Sequence, residues 1–182
     1  MDRTLKQYDE VITACKELFI KKMNDYGTAW RILRPKSITD QIFIKAQRIR
    51  SIDDKGAQKI PDGVYSEFIG IVNYSVMALI QLEINNYDDL NLDANSAIQL
   101  YDNYTAQARK LMEDKNHDYG EAWRDMRISS LTDIILMKIL RTKQIEDNMG
   151  ITEVSEGVDA NYSDMINYAV FALIKINEEK NL

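Results

Sequence analysis

Apolar residues recur every three to four positions along most of the chain, and nowhere do they alternate with a period of two for long enough to make a sheet. Val11, Cys15, Leu18 and Phe19 mark a first helix. It is expected to end near Tyr26, where Gly27 can take the left-handed conformation that closes a helix. A short helical turn is expected around Trp30, interrupted by Pro35. Ile38, Ile42, Lys45, Ile49 and Ile52 then form one helical stripe, opened by Ser37-x-x-Asp40, a capping box with Asp in the usual place of Glu. A third helix is predicted from about Tyr65 to Glu83.

The same pattern is then written a second time. Asp25, Tyr26, Gly27, Ala29, Trp30 and Arg31 recur as Asp118, Tyr119, Gly120, Ala122, Trp123 and Arg124. Ser37, Asp40, Ile42, Lys45 and Arg48 recur as Ser130, Asp133, Ile135, Lys138 and Arg141. After a one-residue insertion the third helix returns from about Asn161 to Glu179. This is a tandem duplication. The first helical repeat covers residues 1–86, an Asn/Asp-rich linker residues 87–97, and the second repeat residues 98–182. The predicted fold class is all-α, a three- to four-helix unit duplicated in tandem and packed as a pseudo-two-fold helical bundle.

Composition narrows the function classes. The chain has 182 residues, a net charge of −6 and a pI near 4.9, with one cysteine and one histidine. The acidic balance argues against a nucleic-acid partner. One cysteine excludes an internal disulfide framework, and one histidine excludes multi-histidine metal sites. No apolar run approaches the ~18 residues of a bilayer span, and no opening segment resembles a signal peptide. A cytoplasmic protein without a membrane partner is expected.

Two features carry chemistry. Lys45 and Lys138 each sit in the middle of an apolar stripe, where an ammonium needs a carboxylate or a bound anion, and Arg48 and Arg141 follow one turn on. A lysine that snorkels out along its own methylenes is the alternative. The third helices offer acids at exchanged positions: Glu67 answers Asn161, and Asp164 answers Gly70, beside the recurring Asn73 and Asn167. Such exchange fits a structural pair in each half, or one functional site with inequivalent walls. The repeated Asp-Tyr-Gly-x-Ala-Trp-Arg element reads structurally as a glycine cap, a tryptophan anchor and an aspartate bonded to local backbone. Functionally, its aromatic residues stack on a base while the arginines hold phosphate.

Together the K-x-x-D-Y-G-x-A-W-R element, the K-x-x-R of the second helix and the Asn-Tyr pair of the third resemble the nucleotide modification associated domain 1 family of bacteria and phages. The resemblance spans both repeats and implies a link to nucleotide metabolism. The helical layout is similar, more distantly, to the all-α nucleoside triphosphate pyrophosphatases of the MazG and dimeric dUTPase type, which hold magnesium with paired carboxylates. Here the second helix carries Lys45-x-x-Arg48 in their place, and Asp164-x-x-Asn167 is half a match.

Two readings follow. In the first, the protein is a magnesium-dependent nucleoside triphosphate pyrophosphatase-like hydrolase. Lys45, Arg48, Lys138 and Arg141 meet phosphates, and Asp25, Tyr26, Trp30, Arg31, Asp118, Tyr119, Trp123, Arg124, Asn73 and Asn167 complete the nucleotide site. Asp164 and Glu67 hold Mg2+. In the second, it is a non-catalytic nucleotide-binding or interaction module with structural Lys–acid pairs. The expected partners are a small-molecule nucleotide and a second copy of the chain.

Overall fold

The computed structural model describes residues 2–56 and 63–180. Among them the elements are helices α1 (Asp2–Tyr26), α2 (Pro35–Lys55), α3 (Val64–Ile84), α4 (Ala94–Tyr119), α5 (Ile128–Asp147) and α6 (Val158–Lys180). Short 3-10 turns, Ala29–Ile32 and Ala122–Asp125, follow α1 and α4. No strand occurs among the described residues, so the all-α duplication stands.

The two central helices are α3 and α6, which pack on each other, while α2 covers α3, α5 covers α6, and α2 meets α5. Helices α1 and α4 lie across the central pair, each touching both of its members. Buried residues of both repeats join in one hydrophobic cluster, from Tyr8 and Val11 through Phe68 and Ile71 to Ile166 and Ile174. The stripe of α2 lands as its spacing predicts, with Ile38, Ile42 and Ile49 buried, and α5 buries Leu131, Ile135, Thr142 and Ile145 likewise. Helix α3 is long and apolar enough to cross a membrane by composition, contrary to the expectation that no such run exists. Its length is explained by its place, since most of its faces are buried against α2 and α6.

Reciprocal contacts mark the internal two-fold. Tyr101 donates to the Asn73 side-chain oxygen at 2.8 Å, and Tyr8 donates to that of Asn167 at 2.8 Å. The Asn73 amide donates to the Cys15 carbonyl at 3.1 Å, and the Asn167 amide to the Ala108 carbonyl at 3.0 Å. Each tyrosine thus reaches from one repeat into the other, and burial pushes both phenols above the usual tyrosine range. Across α2 and α5, Lys143 meets Asp40 at 2.7 Å and Arg50 meets Asp133 at 3.6 Å, again an exchanged pair.

Two local expectations are corrected. The capping boxes do not form: α2 starts at Pro35, whose missing N–H suits the first helical position, and α5 starts at Ile128. Ser37 and Ser130 therefore lie inside the first turn, and Asp40 and Asp133 serve the cross-repeat ion pairs. Helix α4 begins within the stretch assigned to the linker, because the Asp93 carboxylate accepts from the Ser96 N–H at 2.9 Å. The glycine caps do hold, with Gly27 and Gly120 both at φ +64°.

Candidate functional site

Each repeat folds a cleft where its first long helix ends. The left-handed glycine turns the chain sharply after α1, so that Tyr26 stays on the outside while the following 3-10 turn carries Trp30 inward. Tyr26 is 57% exposed and Trp30 is 7% exposed. The second copy repeats this, with Tyr119 at 75% and Trp123 at 5%. Helix α3 closes the far wall with Asn73 and Tyr74, and Lys22 and Lys45 line the same space, of about 310 Å³. The equivalent cleft, about 320 Å³, is lined by Lys115, Tyr119, Trp123, Asp164, Asn167 and Tyr168. Both indole N–H groups are buried without a hydrogen-bond partner among the described residues. A buried donor left unpaired in two equivalent places costs stability at each, and an acceptor entering the cleft would relieve that cost.

The charges of the two clefts differ. In the second, Lys138 donates to Asp164 at 2.6 Å and Lys115 donates to its other oxygen at 2.7 Å. Burial opposes the Asp164 charge, but these two hydrogen bonds outweigh it and hold the carboxyl below its usual range. In the first, glycine stands at that position. A Cβ on Gly70 would lie 2.6 Å from both Cδ and Cε of Lys45, so the missing side chain is what lets Lys45 cross α3. Lys45 then reaches Glu67 at only 3.5 Å and lies 5.7 Å from the centre of the Tyr74 ring. Arg48 takes the other oxygen of Glu67. Lys22 forms no ion pair among the described residues, whereas its counterpart Lys115 holds Asp164.

Several expected ligand groups are structural. Arg31 is 1% exposed and donates to the Gln81 side chain and to the carbonyls of Asn86 and Asp89 at 2.7 and 2.9 Å, which ties the linker to α3. Arg124 lies 4.4 Å from the Trp123 ring and donates to Glu178, Thr4 and Gln7. Neither lines a cleft. The reason is local: in a 3-10 turn of three residues, neighbours point about 120° apart. A tryptophan facing the cleft therefore sends the next arginine elsewhere. Asp25 and Asp118 are exposed outside both clefts, Asp118 beside the His117 ring at 3.1 Å. Arg141 is also outside, on an exposed face of α5, because Asn161 replaces the glutamate that holds Arg48. Asn73 and Asn167 line the clefts, but their amides are engaged in the contacts between repeats.

The two carboxylates expected to hold magnesium are not brought together. Glu67 and Asp164 lie in different clefts, and each carboxylate is committed to two cations. No group of three His, Cys, Asp or Glu suited to a metal occurs among the described residues. Lys22 and Lys115 were read only as the leading lysine of the repeated motif and Gly70 only as the counterpart of Asp164, while Tyr8 and Tyr101 were missed. The four that recur between copies do so at the same spacing as the tryptophans, and that was the available signal.

The sequence profile of the nucleotide modification associated domain 1 family matches residues 22–82 and again residues 115–176, one cleft in each segment. The chain belongs to this family. No curated protein and no solved structure matches it.

Proposed function

We propose that the protein binds a nucleotide, with phosphate on Lys22 and Lys45 and the base against the exposed ring of Tyr26. The observation that carries this reading is the ammonium of Lys22, which lines the cleft and forms no ion pair among the described residues, because the cleft's carboxylate, Glu67, is engaged by Lys45 and Arg48. Beside it, Lys45 is held to its acid only at 3.5 Å. An anionic ligand supplies what both lack. The rim ring and the unpartnered indole N–H of Trp30 suit a planar heterocycle with acceptor atoms. The family's association with nucleotide modification supports a nucleotide over other anions. Glu67 and Asp164 are engaged by lysine and arginine, so binding fits the donor set better than metal-dependent hydrolysis. Magnesium enters only as a companion of the phosphates, whose oxygens together with retained waters supply most of its ligands.

A thermal-shift screen of the full chain against ribo- and deoxynucleotides, with and without magnesium, tests the reading. A ligand at a hundred times its Kd stabilises by about 2.7 kcal/mol. At this chain length that raises Tm by about 5 °C or more. No shift with any mono-, di- or triphosphate would refute nucleotide binding.

A further inference from the structure

The two clefts are nearly equal in volume, about 310 and 320 Å³, so what separates them is chemistry rather than space. In the second, two things a nucleotide would bring are already supplied by the chain. The Asp164 carboxylate sits between Lys138 and Lys115 at 2.6 and 2.7 Å, as a phosphate oxygen pair would. The ring of Phe171 stacks on Trp123 with centroids 4.2 Å apart and planes within 4°, as a base would. In the first cleft, among the described residues, no carboxylate bridges the two lysines, since Glu67 pairs with Lys45 and Arg48, and no ring stacks on Trp30. Gly70 replaces Asp164, Met77 replaces Phe171, and among the described residues the Trp30 ring has only Phe19 as an aromatic neighbour, tilted by 50° at 6.3 Å.

Resting on the nucleotide-binding reading, we infer that each chain binds one nucleoside monophosphate, in the first cleft, while Asp164 and Phe171 keep the second self-occupied. The choice of a monophosphate comes from counting available cations. Arg48 is spent on Glu67, and Arg31 is buried in its own contacts away from the cleft. With the charge of Glu67 balanced by Arg48, the net positive charge of the cleft is that of Lys22 and of Lys45, which touches Glu67 only at 3.5 Å. A phosphate monoester carries about −1.5 to −2 charge near neutral pH, which two ammoniums match and a triphosphate exceeds. The volume also falls at the small end of ligand cavities, which run from about 300 to 1,000 Å³.

Titration calorimetry on the full chain with nucleoside mono- and triphosphates tests this. The expected results are one monophosphate per chain, monophosphates tighter than the matching triphosphates, and at least a tenfold loss in Lys22→Ala. Lys115→Ala, whose ammonium is engaged by Asp164, keeps wild-type affinity within about twofold; tenfold steps correspond to about 1.4 kcal/mol. Asp164→Gly, which copies the first cleft's glycine, is expected to raise the stoichiometry towards two. Circular dichroism checks that this variant folds, and the two lysine variants decide the matter where it does not. Two sites per wild-type chain, equal losses in Lys22→Ala and Lys115→Ala, or a preference for triphosphates would overturn the inference and leave nucleotide binding standing. Absence of binding by every nucleotide would overturn both.

Discussion

Gly70→Ala separates binding from folding at a single atom. The added Cβ would sit 2.6 Å from Cδ and Cε of Lys45 and 3.0 Å from its Nζ, well inside contact distance, so the lysine must swing away. That movement is inexpensive because the obstructed atoms are the flexible end of a side chain. It sacrifices a long 3.5 Å contact to Glu67, between side chains 26% and 10% exposed, worth roughly 0.5 kcal/mol at that length, while Arg48 still holds that carboxylate. Against this, alanine favours the interior of a helix over glycine by about 1 kcal/mol. The sum is a slight gain, and Tm is expected to stay level or rise by about 1–2 °C. Binding behaves in the opposite way. Removing a charged hydrogen-bond donor costs about 1.5–3 kcal/mol, so nucleotide affinity should fall about 10- to 100-fold. Thermal unfolding followed by circular dichroism reads the first quantity and titration calorimetry the second. A fall in Tm of more than about 4 °C would mean that Lys45 is a structural ion-pair member whose position the fold requires. Unchanged affinity would remove Lys45 from the site.

Tyr101→Phe leaves the buried Asn73 oxygen without its donor, and Tyr8→Phe does the same to Asn167; each is expected to lower stability in urea by about 1–3 kcal/mol, and a loss below 0.5 kcal/mol would show that these cross-repeat bonds are dispensable. Asp164 gives a pH dependence of definite sign. Its folded carboxyl is held below the ordinary value near 3.9, so its stabilisation is present above that value and is lost as pH falls through the lower folded one. Urea unfolding of wild type and Asp164→Asn between neutral and acid pH should therefore converge in acid, and parallel curves would contradict the assignment.

The fold was legible because duplication shows every helix twice. Stripes such as Ile38, Ile42, Ile49 and Leu131, Ile135, Ile145 need only helical geometry to be placed, and both copies agree. Helix starts were less legible. Ser37-x-x-Asp40 has the spacing of a cap, but Pro35 two residues earlier already satisfies the first helical position, and nothing in the pattern ranks one start above the other. At the site, Lys45 and Lys138 were found because a cation in an apolar stripe demands an anion. Arg31 and Arg124 were misplaced because adjacency in sequence was taken as adjacency in space, which a 3-10 turn does not permit. Lys22 and Lys115 lie on the outer surface of their helices, where a lysine is unexceptional, and only the tertiary approach of α3 and α6 gives them a role.

The exchange of acids between copies also distinguishes a site from scaffold. Scaffold contacts here are reciprocal: Tyr8 with Asn167 answers Tyr101 with Asn73, and Asp40 with Lys143 answers Asp133 with Arg50. Reciprocity is expected when both members of a pair hold the halves together, since losing either opens the same interface. A structural Lys–acid pair could drift from Glu67 to Asp164 and remain structural, provided the same cations were neutralised. They are not the same. Glu67 serves Lys45 and Arg48, whereas Asp164 serves Lys138 and Lys115, which leaves Lys22 in one cleft and Arg141 on an outer face without an ion pair among the described residues. Moving an acid by one helical turn has therefore changed which cations remain available to a ligand. The lysine pair that closes on Asp164 in the second repeat shows the anion geometry that the first repeat leaves to be supplied from outside.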